Sequence, residues 1–222
     1  MTKLGRQIGI GPTDNTSDQR TPRKRLRLIP EVARESFVPV VPARAVTRQN
    51  EWDMTRIGPD LPRADGVPIE VTGTLCSESG KPVRGALLEI WNANHYGRYR
   101  HIDDHSGLQL DEKFFGMGRV LTDDEGRYRF WTISPGAYLA RPDIGRWRPK
   151  HIHLSISGGP VRLITQMYFP GEPNNATDPM AVLMGEAFER NIGTPYDTPD
   201  IDVEQGYRFD IVAGGRNATF FE

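Results

Sequence analysis

Apolar and polar positions follow two regimes along this chain. The first 65 residues are rich in Pro, Arg and Asp and keep no sustained period, which predicts an extended arm, solvated or draped over a neighbouring subunit. From about residue 67, short apolar runs alternate with turn chemistry. Residues 69–76, 86–93, 127–133, 150–157, 162–169, 207–212 and 219–221 read as strands. The run 127–133 sets Tyr128 and Phe130 between charged neighbours and is entered through Asp123-Asp124-Glu125-Gly126. Gly158-Gly159-Pro160 joins two of the runs as a hairpin. One helix is predicted over 180–190, with Asp178 as N-cap and Pro179 in the first turn. Many short strands divided by Gly and Pro turns predict an all-β fold. The expectation is a β-sandwich core of antiparallel strands over residues 66–222, with one or two short helices, behind an extended arm over 1–65.

Composition narrows the class. A chain of 222 residues, 37% hydrophobic and 26% charged, fits one large globular domain with an arm. The net charge of −1 argues against general affinity for nucleic acid or membrane. Arg20, Arg23, Lys24, Arg25 and Arg27 form one basic cluster, better read as part of a solvated arm than as an anion contact. Cys76 is the only cysteine, which rules out an intrachain disulfide and a multi-cysteine zinc site and favours a cytoplasmic setting. No apolar run is long enough to cross a bilayer.

The most informative segment is Trp147-Arg148-Pro149-Lys150-His151-Ile152-His153-Leu154. It places two of the five histidines two residues apart on a predicted strand. Strand side chains alternate, so His151 and His153 share one face while Ile152 and Leu154 share the other. Two imidazoles on a rigid strand are half of a metal site, and a plain pair of strand histidines fits them equally well. Other donors are therefore needed. Acidic residues lie mostly in turns. Tyr99, in Gly97-Arg98-Tyr99-Arg100-His101, and Tyr138, after Pro135-Gly136, are better placed. A phenol binds metal well only where a strong Lewis acid displaces its proton, as ferric iron can. Taken singly, each tyrosine reads more readily as a packed aromatic with a satisfied hydroxyl than as a ligand.

Four motifs in order resemble the intradiol ring-cleavage dioxygenases. They are Leu88-Glu89-Ile90-Trp91-Asn92-Ala93-Asn94 with Gly97-Arg98-Tyr99-Arg100-His101; Thr132-Ile133-Ser134-Pro135-Gly136-Ala137-Tyr138; the histidine segment; and Leu163-Ile164-Thr165-Gln166-Met167-Tyr168-Phe169. The similarity runs from about residue 68 to the C-terminus. It implies a mononuclear non-haem Fe(3+) held by Tyr99, Tyr138, His151 and His153. It also implies a catechol-type substrate, protocatechuate or another substituted catechol, that displaces Tyr138 and is opened by O2 to a cis,cis-muconate-type diacid. Tyr138 would act as a departing ligand that takes a substrate proton, Arg148 would stabilise carbanionic character on the ring, Gln166 would position it, and Trp91 would line the pocket. The plainer alternatives are a surface salt bridge for Arg148, a strand polar residue for Gln166 and a core residue for Trp91.

Relatives in the protocatechuate branch carry a tyrosine in the N-terminal arm and a tryptophan two residues after the second tyrosine ligand. Here no tyrosine precedes Tyr96, and Ala140 stands in place of the tryptophan, which implies a reshaped pocket. The same branch implies either a related alpha subunit or a homo-oligomer. The first 65 residues do not resemble the helical dimerisation region of the catechol and hydroxyquinol branches. Two rivals remain. A transthyretin-like β-sandwich binding module without catalysis would share Gly80-Lys81-Pro82-Val83-Arg84-Gly85-Ala86 and Pro135-Gly136-Ala137-Tyr138 but would not require His151 and His153. A zinc hydrolase would need a carboxylate beside the two histidines.

Overall fold

The computed structural model describes residues 51–102, 104–158, 161–215 and 217–219; the basic cluster from Arg20 to Arg27 lies outside them. Eleven strands are described: β1 Pro68–Ser77, β2 Leu87–Trp91, β3 Met117–Leu121, β4 Arg127–Ile133, β5 Tyr138–Arg141, β6 Arg146–Arg148, β7 His151–Gly158, β8 Val161–Tyr168, β9 Thr194–Tyr196, β10 Gln205–Arg208 and β11 Ile211–Ala213. Among the described residues there is one α-helix, α1 Pro179–Met184, which runs into a 3₁₀ turn over Gly185–Asn191. No helix among the described residues is long and apolar enough to cross a membrane.

The strands form two main sheets and a hairpin. One sheet is ordered β3-β2-β7-β8 and is antiparallel throughout. In the other, β1 is central, with β4 antiparallel on one side and β10 and β11 parallel on the other. Among the described strands β5 and β6 pair only with each other. Between the main sheets lies one apolar core. Ile69, Val71, Leu75 and Phe130 enter it from one side, and Leu88, Ile90, Ile152, Leu154, Ile156 and Met167 from the other. The expected all-β sandwich is therefore present, antiparallel except where β1 meets β10 and β11.

Local departures have local causes. The single strand expected over 207–212 is two, because the chain steps around Gly73. A Cβ there would collide with the Phe209 carbonyl oxygen, to which Tyr128 donates from its buried hydroxyl. The helix expected to reach residue 190 stays α-helical only to Met184 and tightens to 3₁₀ at Gly185. Its predicted N-cap is correct: Asp178 accepts from the Met180 and Ala181 amides at 2.9 and 3.3 Å. Thr219 lies outside any strand but bonds back to Val212 at 3.0 Å, and the rest of the strand expected over 219–221 is outside the described residues. Residues 51–54 lie along β4, where the Met54 amide donates to Trp131 and the Trp131 amide to Trp52, at 2.9 and 2.8 Å. Met54 itself is a core residue.

Candidate metal centre

Alternation along β7 separates core from site. Ile152, Leu154 and Ile156 are 0% exposed in the core, so His151 and His153 project from the opposite face. Register then aligns their neighbours. His153 lies opposite Trp91 on β2 and Gln166 on β8, and His151 lies opposite Tyr168. Directly paired residues project to the same face. Trp91, His153, Gln166, His151 and Tyr168 thus form one wall, on which the Trp91 and His153 rings stack with centroids 4.8 Å apart and planes within 4°.

Tyr99 comes to this wall from a loop, and Tyr138 from the start of β5 just after one. Asn94 shapes the first loop: its side-chain oxygen accepts from the Tyr96 and Arg98 amides at 3.0 and 2.9 Å, and its amide nitrogen donates to the Gln109 carbonyl at 2.9 Å. Asp104 accepts from the Tyr99 amide at 2.8 Å. The two loops meet through glycines, each two residues ahead of a tyrosine. The Gly136 amide donates to the Asn94 carbonyl at 2.9 Å. A Cβ on Gly136 would sit 2.5 Å from the Gly97 nitrogen and the His95 oxygen, and Gly97 itself has φ +83°. Both positions require glycine, one for close approach and the other for its left-handed backbone as well.

The four predicted side chains converge. The Tyr99 hydroxyl is 3.4 Å from His151 Nε2, which is 3.2 Å from His153 Nε2. The Tyr138 ring centroid lies 5.2 Å from that of Tyr99 and 5.7 Å from that of His151. His151 Nδ1 is 2.7 Å from the Pro149 carbonyl oxygen. That oxygen can only accept, so Nδ1 carries the proton and Nε2 turns its lone pair to the cluster. Burial, reinforced by the charge of Arg148 and by His153, holds His151 well below the usual imidazole range, so the ring is neutral. Among the described residues no group of three His, Cys, Asp or Glu could hold a metal. A cation here would have to take phenolate donors with the imidazoles, and two anionic oxygens with two neutral nitrogens suit ferric iron.

Arg148 ends β6 directly opposite Tyr138. Its ion pair with Asp178 is buried rather than at the surface, with the two side chains 12% and 0% exposed. Burial opposes the guanidinium charge most, but the hydrogen bond to Asp178 and the electrostatic attraction of Tyr168, Asp178 and Tyr138 together outweigh it and raise Arg148 further above its usual range. Arg148 Nη2 also donates to Gln166 Oε1 and to the Tyr168 hydroxyl, each at 2.8 Å. Gln166 is fully buried, and among the described residues its Nε2 has no hydrogen-bond partner. Beside Tyr99 a cleft of about 220 Å³ is lined by Arg98, Tyr99, Arg100, His101, Ile102 and Leu110. A larger cleft of about 690 Å³ lies away from these groups, beside Glu70, Arg129 and Tyr196. There the Glu70 carboxylate is already taken up by Arg129, Trp131, Tyr196 and Thr198.

All seven residues singled out from sequence belong to this region. Sequence reasoning missed the loop anchors Asn94 and Asp104 and the paired glycines, although the Gly-x-Tyr spacing at both tyrosines was a visible signal. It read Asp178 only as a helix cap and Tyr168 only as part of a strand.

Comparison with known proteins agrees with this geometry. A family model described as a dioxygenase matches residues 41–215. The protocatechuate 3,4-dioxygenase beta chain of Burkholderia cepacia is 41% identical over 96% of this chain and 92% of its own. Catechol 1,2-dioxygenase 1 of Acinetobacter lwoffii is 37% identical, over 50% of this chain and 39% of its own. Among solved structures, catechol 1,2-dioxygenase of Pseudomonas arvilla C-1 superposes with a TM-score of 0.56 at 27% identity, covering 77% of this chain and 59% of that one. The dioxygenase domain of a carbohydrate-binding fusion protein from Streptomyces sp. SirexAA-E gives 0.51 at 28%, covering 73% and 86%. The chain belongs to the intradiol ring-cleaving dioxygenases, oxidoreductases that place both atoms of dioxygen in the product.

Proposed function

We propose that this protein opens the ring of a catechol-type substrate, protocatechuate or another substituted catechol, between its two oxygen-bearing carbons. Dioxygen is the co-substrate and a cis,cis-muconate-type diacid the product. The observation that carries this reading is the convergence of two phenols and two imidazoles within one cluster, with His151 Nε2 between Tyr99 and His153 at 3.4 and 3.2 Å. In this reading Tyr99, Tyr138, His151 and His153 hold Fe(3+), as is general in the family. Held there, ferric iron would supply the electron-withdrawing charge that makes a catechol ring carbon able to react with dioxygen.

The protein's own groups do the rest. Tyr138 begins a hairpin that pairs with neither main sheet, which supports its role as the phenolate that departs and takes a substrate proton. The Arg148 guanidinium keeps a permanent positive charge beside the ring and stabilises negative charge building there. Gln166 offers its unpartnered Nε2 as a donor to the substrate. Trp91 holds His153 in place by stacking and closes the wall with its indole face. Ala140 leaves space where a branch relative has an indole, which favours a ring substituent bulkier than that of protocatechuate. The Burkholderia relative is named a beta chain, and a related alpha chain is the proposed partner, with assembly from copies of this chain as the alternative.

The test is oxygen uptake by the iron-loaded protein across a panel of substituted catechols, together with its visible spectrum. Uptake with ring-opened product and a tyrosinate-to-iron band are expected. A colourless protein that consumes no oxygen would favour the transthyretin-like binding module.

A further inference from the structure

Asp178 is fully buried and fixed from two directions. Its Oδ1 accepts from the Met180 and Ala181 amides at the first turn of α1, at 2.9 and 3.3 Å. Against this anchor Arg148 is held by two bonds, Nε to Oδ2 at 2.8 Å and Nη2 to Oδ1 at 3.1 Å. A planar guanidinium gripped through two nitrogens has one orientation only. Nη1 is then the nitrogen with no hydrogen bond among the described residues.

The same carboxylate acts on Gln166 through Arg148, whose Nη2 reaches both Gln166 Oε1 and the Tyr168 hydroxyl. Arg148 Nη2 can only donate, so the Gln166 atom facing it at 2.8 Å must be the carbonyl oxygen. The Tyr168 hydroxyl accepts from Arg148 at 2.8 Å, which leaves one proton to place. Gln166 Oε1 lies 2.7 Å away and Asp178 Oδ1 3.2 Å away. With that proton on the nearer acceptor, Oε1, both Arg148 and Tyr168 donate to it, and the amide cannot turn over without setting its NH₂ against them. The donor end, Nε2, is buried with no partner among the described residues.

We propose that Asp178 is a positioning residue of this site: its buried carboxylate aims the Arg148 guanidinium and, with the Tyr168 hydroxyl, fixes which end of the Gln166 amide faces the substrate. The inference rests on the reading that Arg148 and Gln166 face the substrate ring. Asp178 touches neither substrate nor metal in this account, and its effect passes through Arg148. Its role is more than a helix cap, and the two functions separate chemically. Asn caps a helix about as well as Asp, so Asp178→Asn keeps the oxygen facing Met180 and Ala181. It replaces the charged acceptor facing Arg148 with an amide that can no longer accept at both oxygens.

The test compares native protein, Asp178→Asn, Arg148→Met and the double variant. In iron-loaded enzyme, Asp178→Asn should keep the resting visible band and lose about tenfold or more in kcat with KM changed less than about threefold, the mark of an interaction made in the transition state. In the Arg148→Met background the same change should cost less than about twofold. In metal-free protein, the changes in unfolding constant should fail to add, because the two residues are one buried pair. The inference is overturned by native-like kcat in Asp178→Asn, by equal losses in both backgrounds, by loss of the resting band, or by additive unfolding effects. A native protein with neither band nor oxygen uptake sinks the metal reading instead. The unfolding cycle, which needs no metal, then decides the pairing alone, with non-additive losses upholding it.

Discussion

At the scale of single residues, the candidate donors differ in what holds them. His151 is locked by its bond to the Pro149 carbonyl at 2.7 Å and by burial, so its lone pair is set before any cation arrives. His153 is backed by the Trp91 ring, and Tyr138 stands on the separate hairpin. Changing them should have different results. Tyr138→Phe removes the hydroxyl and leaves the ring, so the protein should fold normally while its visible absorption is lost or shifted. Unchanged colour and turnover would remove Tyr138 from the donor set. His153→Ala removes an imidazole from the rigid wall. Iron analysis should then find well below one iron per chain, and full occupancy would reject the assignment.

At the scale of elements, the histidine strand and the tyrosine loops were not equally legible. Alternation alone assigned the faces of β7, because one face is buried and a one-residue slip would expose it. The hairpin of β5 and β6 went unseen: its strands have four and three residues, its β5 positions are all half-buried, and its register shifts between Leu139 and Arg141. Such short segments carry too little periodicity to read. The loop contact at Gly97 and Gly136 was equally hidden, since it joins segments about forty residues apart through backbone proximity. Gly136→Ala should cost about 1–3 kcal/mol, in the range for forcing atoms into a packed region. It should also weaken iron retention more than it disturbs the sheets, because the added methyl separates the Tyr99 and Tyr138 loops. Chemical unfolding with iron analysis on the same samples checks this. Native iron content in a destabilised variant would show that the loop contact does not serve the site.

At the scale of the whole molecule, buried ionisable groups tie stability to pH. His151 has a folded pKa well below its ordinary 6.5 because burial, first of all, disfavours its charge. Below that pH the unfolded chain binds the proton and the folded one does not, so the metal-free protein should lose stability as pH falls through about 6.5, by up to about 1.4 kcal/mol per unit. Glu70 works in a lower window. Burial raises its pKa, but the hydrogen bonds from Tyr196, Trp131, Arg129 and Thr198 prevail and lower it from the ordinary 4.5. Its contribution should persist above that value and be lost on further acidification. Denaturant unfolding of metal-free protein across pH tests both, and His151→Gln should flatten only the upper segment. Assembly also belongs to this scale. Expressed with a related alpha chain, this protein should sediment as a mixed oligomer; a self-assembly unchanged by that chain would favour copies of itself.

Sequence alone determined the all-β class, the two faces of the histidine strand and the identity of the candidate donors. Period-two patterning, turn residues and side-chain chemistry are local properties, and they are written in consecutive residues. Only the tertiary structure decided that Tyr99 and Tyr138 meet the histidines, that Arg148 is paired inside the protein, and that Asp178 holds it. Those facts depend on backbone approach and cross-strand register between segments far apart in the chain, where spacing in sequence carries no distance.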